Sequence, residues 1–415
     1  MNRLDIAIAG CGIAGLASAL LLHRQGHRVT LYDRFARPRP VGSGLMIQPT
    51  GLAVLARLGL AQTAVARGAP IQRLHGLNRE GEAVLEADYA DLSVPGVFGL
   101  GIHRASLFDL LHSAVLAEKI PVLTDHEICT SEEGTGQRII RFANRDAPAS
   151  HDLLVDCLGV GSPLTPSQGQ YLPFGALWTT LEWPEDGAFD LTLLEQRYEA
   201  AHRMVGILPT GVRHSGGRRE FSFFWSLQQQ DHAAWQANGL QCWKDEVRGL
   251  WPQCETILPQ IASADQMTFA RYAHRTFATP VEARLIHIGD AWHSASPQLG
   301  QGANMALLDA WALALGLAGE GDLQARLHGA IALRQAHVRL YQRLTAAFTP
   351  LYQSHKGAPA ALRDLLLAPA SRIAPGPAIK AMLVAGMAGS PLGRLGLAFP
   401  DYEALRPKGQ SAPGQ

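Results

Sequence analysis

Six residues near the start of the chain, Gly10-Cys11-Gly12-Ile13-Ala14-Gly15, leave it few ways to fold. They follow a short apolar run, Leu4 to Ala9, and open a segment, Ile13 to Gln25, that reads as a helix stopped by Gly26. Arg28 to Tyr32 then alternates, with Val29 and Leu31 on one side, and ends at Asp33. Strand, glycine-rich turn, helix and strand in this order predict a βαβ unit. The first glycine permits the tight turn, the second leaves room for a pyrophosphate, and the third lets helix and strand pack closely. Unpaired N–H groups at the helix start favour phosphate, and Asp33 is spaced to accept bonds from ribose hydroxyls. A nucleotide-free α/β domain with a tight turn is the bland alternative, and the turn alone does not separate NAD from FAD.

At 415 residues the chain has room for two or three domains of about 150 residues each. Lys plus Arg (36) balances Asp plus Glu (36), which argues against a broad basic surface and so against nucleic acid as a partner. The five cysteines, Cys11, Cys129, Cys157, Cys242 and Cys254, show no CxxC spacing, so zinc-ribbon and thioredoxin-like readings fail. Scattered thiols suit a reducing compartment. Leu4 to Leu22 imitates a signal peptide but is broken by glycines. Ala306 to Ala318 carries Asp309 and falls short of the ~20 residues that span a bilayer. The expectation is a cytoplasmic protein with no transmembrane segment and no metal.

Further along, Pro49 to Leu60 and Ser106 to Leu116 read as helices with apolar faces. Residues 165–230 change character: Tyr171 to Trp183, Met204 to Leu208 and Glu220 to Leu227 read as strands, the last with Phe221, Phe223, Trp225 and Leu227 on one face. Ala283 to Ile288 returns to an apolar strand. Gly289-Asp290-Ala291-Trp292-His293 closes it, and Pro297-Gln298-Leu299-Gly300-Gln301-Gly302-Ala303-Asn304 opens another helix. An acid at a strand end can hold sugar hydroxyls, and a glycine-rich helix start can approach phosphate or a polar ring edge. Two α/β ends therefore enclose a β-rich middle.

With these motifs in place, the chain resembles the group A flavoprotein monooxygenases, related to para-hydroxybenzoate hydroxylase, over about residues 4–345. The resemblance rests on the first glycine turn, Gly42-Ser43-Gly44 before the helix ending Leu58-Gly59-Leu60, His103-Arg104-Ala105-Ser106-Leu107, and the GDxxH and PxxGxGxN block. It implies an α/β fold: a discontinuous Rossmann-like FAD-binding domain of the GR2 type, with an inserted β-sheet substrate domain and a C-terminal helical region. The implied boundaries are 1–72, 101–165 and 276–345 for the FAD domain, 73–100 and 166–275 for the substrate domain, and 346–415 for the C-terminal region and a flexible tail. FAD contacts are implied for Gly10, Gly12, Ile13, Ala14, Gly15, Asp33, Arg34, Arg39, Gly44, Arg104, Gly289, Asp290, Pro297, Gly300, Gln301, Gly302, Ala303 and Asn304. The implied chemistry is insertion of one oxygen atom from O2, through a flavin C4a-hydroperoxide, into a small and most simply aromatic substrate. No catalytic acid or base is assigned. A dehydrogenase of the same fold that inserts no oxygen is the alternative.

One family motif is degenerate. The pattern Asp-Gly-x-x-Ser-x-x-Arg contributes to FAD contacts and to the use of a nicotinamide cofactor. Here, with Gly159 and Ser162 aligned, Leu158 stands at the Asp position and Thr165 at the Arg position; aligning Asp156 instead loses both Gly and Ser, so the motif is degenerate either way. Electrons then come from NAD(P)H despite the lost charges, or from a separate flavin reductase. The substrate pocket is expected between the middle sheet and the flavin, lined by Trp178, Met204, Phe223, Trp225 and Pro297.

Overall fold

The computed structural model describes residues 3–37, 42–165, 170–214 and 216–406. A six-stranded sheet runs in the order Val281–Glu282, Leu285–His287, Leu153–Asp156, Asp5–Ala9, Arg28–Tyr32 and Val122–Leu123. All neighbours are parallel except the first pair. Its strands come from distant stretches of chain, which is how one layer is built from separate pieces. The central strands are buried on both faces and read as continuous apolar runs.

Helix Ile13–Arg24 packs on this sheet and against helix Gly302–Leu317, which packs in turn on the thirty-residue helix Leu323–Tyr352. Gly302–Leu317 is buried over most of its circumference, and this explains why its sequence is apolar apart from Asn304 and Asp309. The opposite face of the sheet is covered by a three-stranded antiparallel sheet, Ile128–Glu133, Arg138–Phe142 and Arg145–His151, through Ile128, Ile140 and Phe142. Short helical pieces complete the C-terminal region.

The second layer is an eight-stranded sheet in the order His293–Ser294, Thr268–Thr276, Gln170–Glu182, Arg219–Gln228, Arg203–Val212, Leu193–Glu199, Arg73–Leu77 and Ala83–Asp88. Side chains alternate across it. One face carries Leu177, Val205, Ile207, Phe221, Phe223 and Trp225, packed on Trp243 and Val247 of helix His232–Leu250. The other carries Trp178, Met204, Leu208 and Phe224 and looks toward the nucleotide layer.

The expected pocket assignment of Phe223 and Trp225 is therefore corrected. They do share a face, but it is the face that packs on the helix. Phe224, one residue out of phase, takes the place expected of them, opposite Trp178 in the antiparallel register. A strand can send odd-numbered side chains to one side only, and the core claimed these.

The tightest constraint is the first turn. Gly10 has φ +96°, and a Cβ at Gly15 would lie 2.0 Å from the Gly10 carbonyl oxygen. No rotamer relieves a clash with backbone. Gly15→Val is expected to cost more than about 3 kcal/mol in urea unfolding of the apoprotein.

Candidate active site

Gly12 caps helix Ile13–Arg24 with extended backbone and no side-chain cap, so the first helical N–H groups are left for a ligand. A Cβ at Gly12 would meet nothing within 4 Å, so the turn faces open space. Ile13 and Ala14 form the first helical turn. Asp33 braces the turn: one carboxylate oxygen accepts from the Cys11 N–H at 2.9 Å and the other from the Phe35 N–H at 2.9 Å. Burial, and then the Asp33 charge, push the Cys11 thiol far above its ordinary range, so it is an inert neighbour. Arg34 is exposed, with its guanidinium 4.8 Å from the Phe35 ring centre. Arg39 lies outside the described residues.

The second acidic turn is fixed by a residue that the sequence marked only as a charge in an apolar helix. Asp309 is buried; it accepts from the Gly289 N–H at 3.0 Å, from His293 Nε2 at 2.7 Å and from Arg334 Nε at 2.8 Å. Burial alone would raise this carboxyl, but His293 and Arg334 overcome it and hold it below the usual range. Arg334 also donates to His337 Nδ1 at 2.7 Å, and His337 Nε2 donates to the Gly386 carbonyl at 2.9 Å. Burial, and then Arg334, hold His337 neutral with a pKa down to about 3.

Asp290, thus positioned, is open to the cavity it lines. Protein still surrounds it closely enough for desolvation to raise its carboxyl, against the pull of His293, Arg104 and Arg275.

Pro297–Leu299 turns into Gly300 at φ +61°, and Gly302 starts the next helix. Pro297, Gly300, Gln301, Gly302 and Ala303 all line the cavity. Asn304 does not. It is fully buried, with its amide donating to Met46 O at 3.1 Å and Gly300 O at 2.9 Å and its oxygen accepting from the Gln48 N–H at 2.7 Å. Its hydrogen-bonding groups are spent on holding the turn against strand Gly44–Ile47. Gln301 likewise donates to Leu299 O and to Val384 O, tying the turn to the C-terminal region.

The acidic turn and the second glycine-rich turn border one cavity of about 1190 Å³. Gly44, Arg104 and Asp290 stand at one end, Trp178, Met204 and Phe224 line the sheet wall, and Tyr341, Leu351 and Leu383 close the helical wall. Trp178 and Phe224 stack with ring centres 4.6 Å apart. Trp178 Nε1 donates to the Tyr272 hydroxyl at 2.8 Å. Burial pushes that phenol up to about 12, so it stays a neutral donor. His103 Nδ1 accepts from the Ala105 N–H at 3.1 Å, leaving Nε2 to donate to Thr180 Oγ1 at 3.1 Å. Burial, then Arg213 and Arg104, hold His103 down to about 4. Phe224, Tyr272, His103 and the helical wall were missed by sequence reasoning. For Phe224 the signal existed: it stands in the opposite phase to the core-facing aromatics of its strand. Among the described residues, no group of three or more His, Cys, Asp or Glu side chains could hold a metal ion.

The arrangement fits an elongated dinucleotide coenzyme. It offers an open glycine turn with uncapped N–H groups, an acid at the second strand's end, an arginine in the cavity beside Gly42, and a second glycine-rich helix start. Together with the two-layer fold these features define a flavin-dependent oxidoreductase.

The chain matches the family described as FAD binding domain over residues 3–329 and belongs to it, among the group A flavoprotein monooxygenases; it binds FAD. It is 24% identical over 330 residues to the putative FAD-dependent monooxygenase YetM of Bacillus subtilis, covering 77% of this chain and 86% of that one. It is 28% identical over 348 residues to 6-methylpretetramide 4-monooxygenase of Streptomyces rimosus, covering 80% of each. Among solved structures, Klebsiella pneumoniae HpxO complexed with FAD and uric acid superposes with a TM-score of 0.73 at 21% identity, over 91% of this chain and 97% of that one. PqsL of Pseudomonas aeruginosa, in complex with 2-aminobenzoylacetate, gives 0.75 at 19% identity, over 87% and 99%.

Two outcomes follow from this geometry. Arg104→Met is expected to weaken FAD binding about ten-fold or more, measured by quenching of flavin fluorescence. The second concerns acid. His103 titrates near 4 and His337 near 3 when folded, against 6.5 ordinarily. The unfolded chain therefore binds more protons between these values, and stability is full above pH 6.5 and falls as pH drops toward 4 and 3. Melting temperature against pH checks this, and His103→Gln is expected to flatten the upper part of the fall.

Proposed function

We propose that this FAD-dependent monooxygenase hydroxylates a small, planar and largely apolar substrate, most simply an aromatic one, held between the eight-stranded sheet and the flavin site. The single observation that carries this is the continuity of the cavity: Arg104, the acidic turn at Asp290 and the second glycine-rich turn share one space with the aromatic wall. FAD, when bound and reduced, supplies the chemistry of dioxygen activation and oxygen transfer. The chain's own residues do the rest. Gly12 and Arg104 hold phosphate, Asp33 and Asp290 hold sugar or ribityl hydroxyls, and the Pro297–Ala303 turn borders the flavin ring. The Trp178–Phe224 stack offers a flat apolar surface, and Met204 and Leu208 exclude water. Tyr272, neutral at working pH, presents an O–H near the same wall and orients polar substituents, while His103, also neutral, has both ring nitrogens engaged by Ala105 and Thr180 and holds the wall in place.

Electrons come from NAD(P)H or from a separate flavin reductase. A cytoplasmic setting is supported by five free cysteines, and among the described residues no helix is long and apolar enough to cross a membrane.

A substrate panel with labelled dioxygen, followed by product mass, is the test. One labelled oxygen in the product is expected; substrate turnover that yields only peroxide favours the dehydrogenase alternative. With a substrate in hand, Phe224→Ala is expected to raise KM about ten-fold or more while leaving FAD affinity within about two-fold. Phe223→Ala, on the other face, is expected to lower the melting temperature instead.

A further inference from the structure

The middle loop lacks the two charges of its family pattern, with Leu158 and Thr165 at those positions. The structure brings two charges to the same loop, one from the strand residue just before it and one from a distant segment. Asp156, the last residue of strand Leu153–Asp156, is fully buried. One of its oxygens accepts from the Leu158 N–H at 2.9 Å. The other accepts from Ser162 Oγ at 2.6 Å and lies 2.7 Å from His287 Nδ1. Arg275 arrives from strand Thr268–Thr276 and is 6% exposed. Its Nη1 donates to Val160 O at 3.0 Å and to Thr165 Oγ1 at 3.1 Å, the side chain that occupies the missing arginine's position. Its Nη2 donates to Ala291 O at 2.5 Å and reaches Asp290 O at 3.5 Å.

One guanidinium thus joins the loop at 157–165 to the turn at 289–291. Both rest on the first glycine turn. A Cβ at Gly10 would come within 2.8 Å of Cys157 O, and one at Gly289 within 3.2 Å of the Ala14 Cβ. Asp156 and Asp290 favour the charge on Arg275, which burial opposes. The planar fork suits this task, since it meets carbonyls on two separate segments at fixed angles.

We propose that Asp156 and Arg275 are a relocated substitute for the lost pair: Asp156 shapes the loop, and Arg275 positions loop and acidic turn against each other around FAD. The degenerate motif is then a change of address for the charge rather than its loss, and FAD affinity depends on residue 275 where the family pattern uses residue 165.

The test is FAD titration of the purified apoprotein by fluorescence quenching, across four forms: unsubstituted, Arg275→Met, Thr165→Arg, and the double variant. Arg275→Met is expected to raise the FAD dissociation constant about ten- to a hundred-fold, the loss of hydrogen bonds from a charged donor. Thr165→Arg alone is expected to weaken binding, because two guanidinium groups compete for one set of carbonyls. In the Arg275→Met background the same change is expected to strengthen binding by about ten-fold. This reversal of sign is what a merely space-filling role for Arg275 does not produce. FAD affinity unchanged within about two-fold in Arg275→Met, or an effect of Thr165→Arg with the same sign in both backgrounds, overturns the proposal. If Arg275→Met does not fold, the double variant decides: folded and flavin-binding supports the relocation, unfolded overturns it.

Discussion

A buried carboxylate with three donors around it holds this molecule's flavin site in shape. Asp309 sits in the middle of a buried helix whose other residues, Asn304 apart, are apolar, where an unpaired charge costs several kcal/mol. The cost is offset because the Gly289 N–H, His293 and Arg334 all converge on it. The strand end that carries Asp290, the helix that begins at the second glycine turn and the long helix Leu323–Tyr352 are thereby fixed to one point. Through His337 the same chain of contacts reaches Gly386 in the C-terminal region. Removing any one partner strands a charge inside the protein, so the network acts as a unit, and its rigidity is passed to the turn that faces the coenzyme.

The β-rich layer works by a different rule. Its strands are shared between two jobs that alternate residue by residue. Val205, Ile207, Phe221, Phe223 and Trp225 build a core with helix His232–Leu250, while Met204, Leu208 and Phe224 face the cavity. Gly206 belongs to the second set, and the Phe224 ring lies where its Cβ would be. A flat aromatic wall is obtained by leaving a side chain out of the neighbouring strand.

How much of this was legible in the sequence follows from where each signal is written. The first turn and the acidic turn were legible, because close backbone approach demands glycine at fixed spacing and few other structures do. The FAD class came through the resemblance built on both. The three-stranded sheet at 128–151 was not seen: segments such as Thr130-Ser131-Glu132 are polar and largely exposed and show no apolar alternation. Helix His232–Leu250 was hidden by the break at Gly239, whose backbone is non-helical. Of the residues expected to line the pocket, Trp178, Met204 and Pro297 do so, while Phe223 and Trp225 were taken in the wrong phase of their strand, since the larger cluster of aromatics serves the core. Asn304 was grouped with coenzyme contacts by its place in a motif, and only three-dimensional pairing with Gln48 and Met46 shows it to be a brace. Asp156 and Arg275 could not be matched from sequence, because they lie far apart along the chain, on strands of different sheets, and are related only through the loop at 157–165.

The stretch matched to the FAD-binding family ends at residue 329, yet Tyr341, Leu351 and Leu383 form one side of the cavity. The coenzyme's half of the chamber and the wall opposite are thus encoded in different parts of the gene. That last segment is not a wall alone: Arg334 within it completes the donors around Asp309, so any change in the chamber's outline made there is coupled to the turn that faces the coenzyme.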